Sequence, residues 1–343
     1  MCIEKPHGTL IKLTTMIAVW VLVSGCSKSD NNIEHKSGLL RQSWATDFQE
    51  SPISRILDVA TDSDGRVYVP DQKAGVVYRL DNQGKILDTF GRTGEGPGEF
   101  IFGPWEVEVS DTGTIFVLDK QGFAIHKFDN DLEYNSTSSF LGGAAIHDMT
   151  TNANDELIVV YSTPASGGHI GIVKGDSLIE LTALRRERES GVFWSSAMVD
   201  TFSDGAIVVA YNFVNAVELY SKDGAFIRGF LVDNEELRAM PFPQDGIPST
   251  VSQEIRDNPP PKYPLISDMT VDDTGHIYIL MGRGVDGQSA NHNLEVRVFD
   301  SDGVDVSTFT LNDRSAFLEI DSTNDKLYAS RSAATELVVY DID

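Results

Sequence analysis

The chain has 343 residues and carries 52 Asp and Glu against 27 Lys and Arg, a net charge of −25. So acidic a balance excludes binding along a nucleic-acid backbone, which needs Lys and Arg against phosphate, and the length allows two average domains or one large β domain. Both cysteines, Cys2 and Cys26, lie near the start, so the rest of the sequence offers no disulfide, thiolate metal site or thiol nucleophile.

Residues 1–25 read as a signal peptide. Lys5 and Lys12 give a basic start, and Met16–Val23 (MIAVWVLV) is an apolar run too short to span a bilayer comfortably. The string Leu22–Val23–Ser24–Gly25–Cys26 that follows resembles the bacterial lipobox, in which small residues admit the peptidase and the Cys thiol is acylated. The resemblance implies lipidation at Cys26 and attachment to a membrane of the bacterial cell envelope, stable because several acyl chains share one residue. Ser27 rather than Asp after the Cys points to the outer membrane under enteric-type sorting. Residues 26–38 then comprise the lipidated Cys and a polar tether, SKSDNNIEHK over Ser27–Lys36. A plain secretory signal is the alternative.

From residue 39 onward a unit recurs. Its copies are ILDVATDSDGRVYVPD (Ile56–Asp71), WEVEVSDTGTIFVLD (Trp105–Asp119), IHDMTTNANDELIVV (Ile146–Val160), AMVDTFSDGAIVVAY (Ala197–Tyr211), ISDMTVDDTGHIYIL (Ile266–Leu280) and FLEIDSTNDKLYAS (Phe317–Ser330). Each pairs two strand-like runs across a turn of Asp, Asn, Ser or Gly, a hairpin signature. A second hairpin half follows each copy, so the sequence predicts an all-β, six-bladed β-propeller of four-stranded blades over 39–343. The sixth unit stops one strand short. The missing outer strand is expected from Leu39–Phe48, so that an N-terminal strand closes the ring in the last blade. Two large packed sheets are the alternative, and they leave six equal units unexplained.

Gly91–Phe100 (GRTGEGPGEF) has the glycine content of a phosphate loop but neither its Lys nor a helix behind it. It is expected to connect blades 1 and 2, with Phe100 or Phe102 wedged between sheets. Its glycines and Glu99–Phe100, then Pro104 and a strand ending Phe116–Val117–Leu118–Asp119, resemble the NHL repeat. Tyr68–Val69–Pro70–Asp71 and Tyr78–Arg79–Leu80–Asp81 match less tightly. The resemblance, over roughly Arg41–Asp343, is to the six-bladed propeller lipoproteins of bacteria, and it implies fold and compartment rather than chemistry.

Aligned on their turns, the six inner strands place Asp58, Glu106, Asp148, Met198, Asp268 and, with a one-residue deletion, Glu319 at one position. Five carboxylates converging on the axis could hold Ca²⁺ or Mg²⁺, which take oxygen ligands; they could equally line a wet channel or accept backbone N–H bonds. Asp62, Asp64, Asp71, Asp111, Asp119, Asp272 and Asp273 read as turn formers. No His-x-x-x-His pattern or Gly-x-Ser-x-Gly elbow appears; His147 is the best placed of the histidines, on an inner strand beside Asp148. The proline-rich insertion 231–265 is far longer than a blade connection and is expected to form a ligand-binding flap through Phe242, Ile247 and Tyr263. Two functions remain open. One is a binding module for an envelope protein, peptide or glycan. The other is a metal-dependent hydrolase or lyase of the lactonase-like propeller kind, with a divalent cation in the channel.

Overall fold

The computed structural model describes residues 36–46, 52–139, 143–163, 166–185, 197–232, 264–282, 292–331 and 335–342. Cys26 and the flap residues Phe242, Ile247 and Tyr263 lie outside the described residues.

The chain enters as an extended run, β1 (Lys36–Leu39) and β2 (Arg41–Ala45). Blade 1 is β3 (Ala60–Thr61), β4 (Val67–Asp71), β5 (Val76–Leu80) and β6 (Ile86–Phe90). A short ribbon, β7 (Arg92–Thr93) with β8 (Glu99–Phe100), leads to blade 2: β9 (Glu106–Val109), β10 (Ile115–Asp119), β11 (Ala124–Phe128) and β12 (Tyr134–Ser139). Blade 3 is β13 (Ala145–Thr151), β14 (Leu157–Thr163), β15 (Ser166–Lys174) and β16 (Ser177–Ala183). Blade 4 is β17 (Ala197–Thr201), β18 (Ile207–Tyr211), β19 (Ala216–Tyr220) and β20 (Phe226–Leu231). Blade 5 is β21 (Ile266–Val271), β22 (Ile277–Met281), β23 (Glu295–Phe299) and β24 (Asp305–Thr310), and blade 6 is β25 (Leu318–Asp321), β26 (Lys326–Arg331) and β27 (Glu336–Asp341).

Each blade is an antiparallel meander in sequence order. The second strands are buried along their whole length in blades 1, 2 and 4 (VYVPD, IFVLD, IVVAY), because a neighbouring blade covers each face. Their sequences accordingly run apolar without alternation. Adjacent blades enclose separate apolar clusters, such as Val107, Val117 and Phe128 with Tyr68 and Val77 between blades 1 and 2. Phe100 is fully buried in that cluster, so it is the expected wedge. Gly91 admits it: a Cβ there would meet the Phe100 ring at 2.2 Å, and φ is +71°.

The ring closes as the sequence predicts. β2 pairs antiparallel with β27, Arg41 opposite Asp341 and Gln42 opposite Tyr340, and supplies the outer strand of blade 6. β1 was not anticipated. It adds to β24 in parallel, Lys36 opposite Ser307 and Leu39 opposite Thr310, as a fifth strand on blade 5. One extended run therefore staples two neighbouring blades.

The turn acids behave as expected where they are engaged. Asp62 Oδ1 accepts the N–H groups of Asp64 and Arg66, each at 3.0 Å, and Asp272 Oδ1 accepts those of Thr274 and His276. Asp71 and Asp119 are wholly buried and accept several backbone N–H groups each, from the following turn and from the incoming connection.

Candidate functional site

The first strands line the central channel. On the upper face they begin and the second strands end; the hairpin turns between them form the lower face. Side chains two apart on a strand share a side, so each inner strand offers the channel two heights.

At the upper height a single bond repeats from blade to blade. Asp58 Oδ2 accepts Val107 N at 2.9 Å, Glu106 Oε1 accepts Met149 N at 2.6 Å, Asp148 Oδ2 accepts Val199 N at 2.6 Å, and Asp268 Oδ2 accepts Leu318 N at 2.6 Å. In each case the donor directly follows the equivalent residue of the next blade. By that rule the blade 6 equivalent is Phe317, and Met198 stands in blade 4.

Glu319 therefore does not belong with the other four, a correction to the sequence alignment. It pairs across the strand with Tyr328, as Glu108 does with Phe116 and Asp200 with Val208. The lower tier is Ala60, Glu108, Thr150, Asp200, Thr270 and Glu319. Sequence reasoning missed Glu108 and Asp200, though each lies two residues beyond the position read. Glu108 Oε1 accepts from Thr151 N at 2.9 Å and Asp200 Oδ2 from Val271 N at 2.8 Å, so this tier also ties blade to blade. Thr150 and Thr270 donate to Asp200 and Glu319.

Among the described residues, seven carboxyl groups thus share one channel. Burial raises all of them: Asp58 to about 7, Asp148 and Asp200 to about 6, Glu108 to about 8, and Glu106, Asp268 and Glu319 well above the usual carboxylate range. Like charges add to the effect: Asp148 acts on Asp58, and both act on Glu106. The accepted N–H bonds and Lys120 oppose it. Two cavities flank the upper tier. The lower one, about 300 Å³, is lined by both tiers and by the turn residues Asp111, Asn152, Ser203 and Asp272. The upper one, about 160 Å³, is lined by Trp105, His147, Met198, Asn212, Ser267 and Phe317. Among the described residues no group of three or more His, Asp or Glu side chains is gathered as a metal-binding set. Six of the carboxyl groups instead reach toward the next blade, and Glu319 is held by Thr270 of the preceding one.

His147 stands at the upper mouth. Its Nε2 lies 2.8 Å from Ser162 Oγ, and burial lowers its pKa to about 4, so the ring is neutral. Lys120 donates to the His147 carbonyl at 3.0 Å, its Nζ lying 5.4 Å from the Trp105 ring centre. Beside them Ile101, Phe102 and Phe123 project into solvent, 43 %, 54 % and 43 % exposed. Nothing in the sequence marks this patch, since apolar residues in a connection read equally as wedges.

The fold is that of a six-bladed β-propeller. A family model described as a 6-bladed beta-propeller (DUF5128) matches residues 47–152, which take in blades 1 and 2 and the first strand of blade 3. Comparison with curated proteins gives no significant match. Among solved structures, virginiamycin B lyase from Staphylococcus aureus is similar at 13% identity and a TM-score of 0.50, over 87% of this chain and 88% of that one. The Cps50 (Swd1) β-propeller domain of Myceliophteria thermophila is similar at 10% identity and a TM-score of 0.52, over 89% of this chain and 100% of that one. At these identities the likeness is one of fold.

Proposed function

We propose that the protein is a recognition propeller of the bacterial cell envelope, held at the outer membrane by a lipidated Cys26 and binding a protein, peptide or glycan on its upper face without chemistry. The observation that carries this reading is the division of labour in the site. The upper-tier carboxyl groups are engaged in backbone bonds between blades, whereas the upper rim exposes three large apolar side chains beside a cavity mouth. Exposed apolar groups clustered on a folded surface mark a contact site. Peptide and glycan arrays probed with the full chain test it: a set of bound probes lost in Phe102→Ser, Phe123→Ser supports the reading, and arrays that do not respond to the substitutions reject it. The anchor is tested separately, by incorporation of a labelled fatty acid that Cys26→Ser must abolish.

A second reading keeps a divalent cation, Ca²⁺ or Mg²⁺, in the channel of a hydrolase or lyase. The lower cavity and its raised carboxyl groups favour it; their spread over two tiers and their existing bonds do not. A chelator-treated sample titrated with each ion decides between them. An ion-specific rise in Tm, lost in Asp58→Asn, Asp148→Asn, Asp268→Asn, would establish the cation site; a site filled at a hundred times its Kd adds about 2.7 kcal/mol.

A further inference from the structure

We infer that the upper rim of blades 1 and 2 is a docking surface for an acidic polypeptide segment that carries an aromatic or branched aliphatic side chain among its carboxylates. The inference rests on the recognition reading and gives that site an occupant.

One buried carboxylate builds the rim. Asp119 Oδ2 accepts Ile101 N at 2.5 Å and Phe102 N at 3.4 Å, while its Oδ1 accepts Gly122 N at 2.9 Å. The connection into blade 2 and the β10–β11 turn are thereby fixed side by side, and Ile101, Phe102 and Phe123 stand out from them together. Phe123 is held at φ 52°, a left-handed conformation unfavourable to a bulky side chain. An aromatic held exposed at that backbone cost has the mark of a contact residue rather than a turn former. The other large exposed apolar residues among the described residues, Leu87, Ile179, Phe226, Ile227 and Val304, are scattered along outer strands and their turns.

Cations border the patch on a chain that is acidic overall. Gly103 backs onto the Gln72 carbonyl, so blade 1's rim adjoins the patch, and Gln72 Oε1 accepts from Arg55 Nη1 at 3.0 Å. Arg55 and Lys73 are exposed there, and Lys120 borders the mouth over Trp105. Asp71 and Asp119 at this rim are wholly buried among backbone donors and present no charge to a partner, Glu99 is paired with Arg92, and the exposed Glu95 lies in the turn of the β7–β8 ribbon, six residues before Ile101. Cations and apolar groups on a protein of net charge −25 favour an acidic, partly apolar occupant. An anionic lipid surface offers similar chemistry, but the chain enters the propeller on the opposite side. β1 runs parallel to β24, which rises from the lower face, so Lys36 lies at the lower end.

The test uses the full chain in detergent and two fluorescein-labelled hexapeptides, EDFWDE and KRFWKR, followed by fluorescence anisotropy at low and high salt. The acidic peptide is expected to bind, more weakly as salt rises. Arg55→Glu, Lys73→Glu and Phe102→Ser, Phe123→Ser should each weaken it about tenfold or more, with Tm unchanged because all four side chains are exposed. Equal binding of the basic peptide, or indifference to the substitutions, would overturn the assignment. So would cosedimentation with phosphatidylglycerol vesicles that the Phe102 and Phe123 substitutions abolish, since that identifies a lipid surface instead. If the arrays respond to those substitutions while the acidic peptide fails, recognition stands and only its occupant is wrong; if both fail, both readings fall.

Discussion

Asp58 in blade 1 accepts the backbone N–H of Val107 in blade 2 at 2.9 Å, the first of a series of carboxylate clamps that runs around the channel. Each clamp satisfies a donor at the edge of an inner strand and joins sheets that otherwise meet only through side-chain packing. The acids that look like a binding ring in the sequence are also what orients the blades.

Removing a clamp should therefore cost stability in a way that depends on the replacement. Asp58→Ala leaves Val107 N–H without its acceptor and is expected to lose about 1–3 kcal/mol in urea denaturation. Asp58→Asn keeps an oxygen in place and removes a charge that Asp148 opposes, so at pH 8 it should match the wild type or exceed it. Equal losses in both variants would show that charge, not the bond, is what matters at this position.

The raised carboxyl groups give a pH dependence with a definite sign. Their folded pKa values exceed the unfolded ones, so above about pH 4 the folded chain binds more protons and stability falls as pH rises. Buried His147 and His126, whose pKa values are lowered, act in the opposite sense below about pH 6.5. Between about pH 6.5 and about pH 8.5 these two histidines lose the last of their unfolded-state charge and the more numerous channel acids dominate, with Asp58 near 7 and Glu108 near 8. Tm is expected to fall across that window, and less steeply in Asp58→Asn, Glu108→Gln. A flat profile would mean that water or cations in the channel cancel the burial.

Gly103 has φ +91°, and a Cβ there would sit 2.3 Å from the Gln72 carbonyl oxygen. Gly103→Ala meets backbone on one side and a disfavoured conformation on the other, a strain of order 1–3 kcal/mol. It should lower Tm measurably, whereas Gly175→Ala, also at positive φ but with open space around it, should cost less. Similar losses at the two sites would assign the penalty to backbone conformation alone.

The junction between blades 6 and 1 differs from the other five. Among the described residues no channel carboxylate crosses it: Phe317 occupies the upper tier of blade 6, and an apolar cluster of Ile56, Val59, Phe317, Tyr328 and Leu337 holds the seam. The adjoining inner strand, β3, is only two residues long. Hydrogen exchange should accordingly find the inner-strand amides of blades 1 and 6 less protected than those of blades 3 and 4. Uniform protection around the ring would remove the clamps from any account of its stability.

The fold was legible because each repeat contains its own hairpin, and a hairpin announces itself through local turn residues such as Asp62–Gly65 and Asp272–Gly275. Ring closure was legible for a different reason: the last unit lacked a strand and the first had one to spare. The channel was read less well. Placing Glu319 requires the cross-strand register of Tyr328, which the shortened FLEIDSTNDK unit conceals. Glu108 and Asp200 were within reach, had both channel-facing positions of each alternating strand been aligned. β1 leaves no signature, because a strand added in parallel needs no turn, and the exposure of Phe102 depends on Phe100 taking the buried place instead.

Pairing the two chain ends has a consequence in time. Leu337 donates to Thr46 Oγ1 across 291 positions, and Thr46 N reaches back to the Leu337 carbonyl. At ordinary rates of synthesis the first strand precedes its partner by roughly 15–60 s. By the end of that interval five blades can have formed while blade 6 exists only in part, with the edge of β26 unpaired. A chain whose synthesis stops before Glu336 would thus lack β27 and stay open at one side, with Leu327 and Tyr328 uncovered for any passing strand.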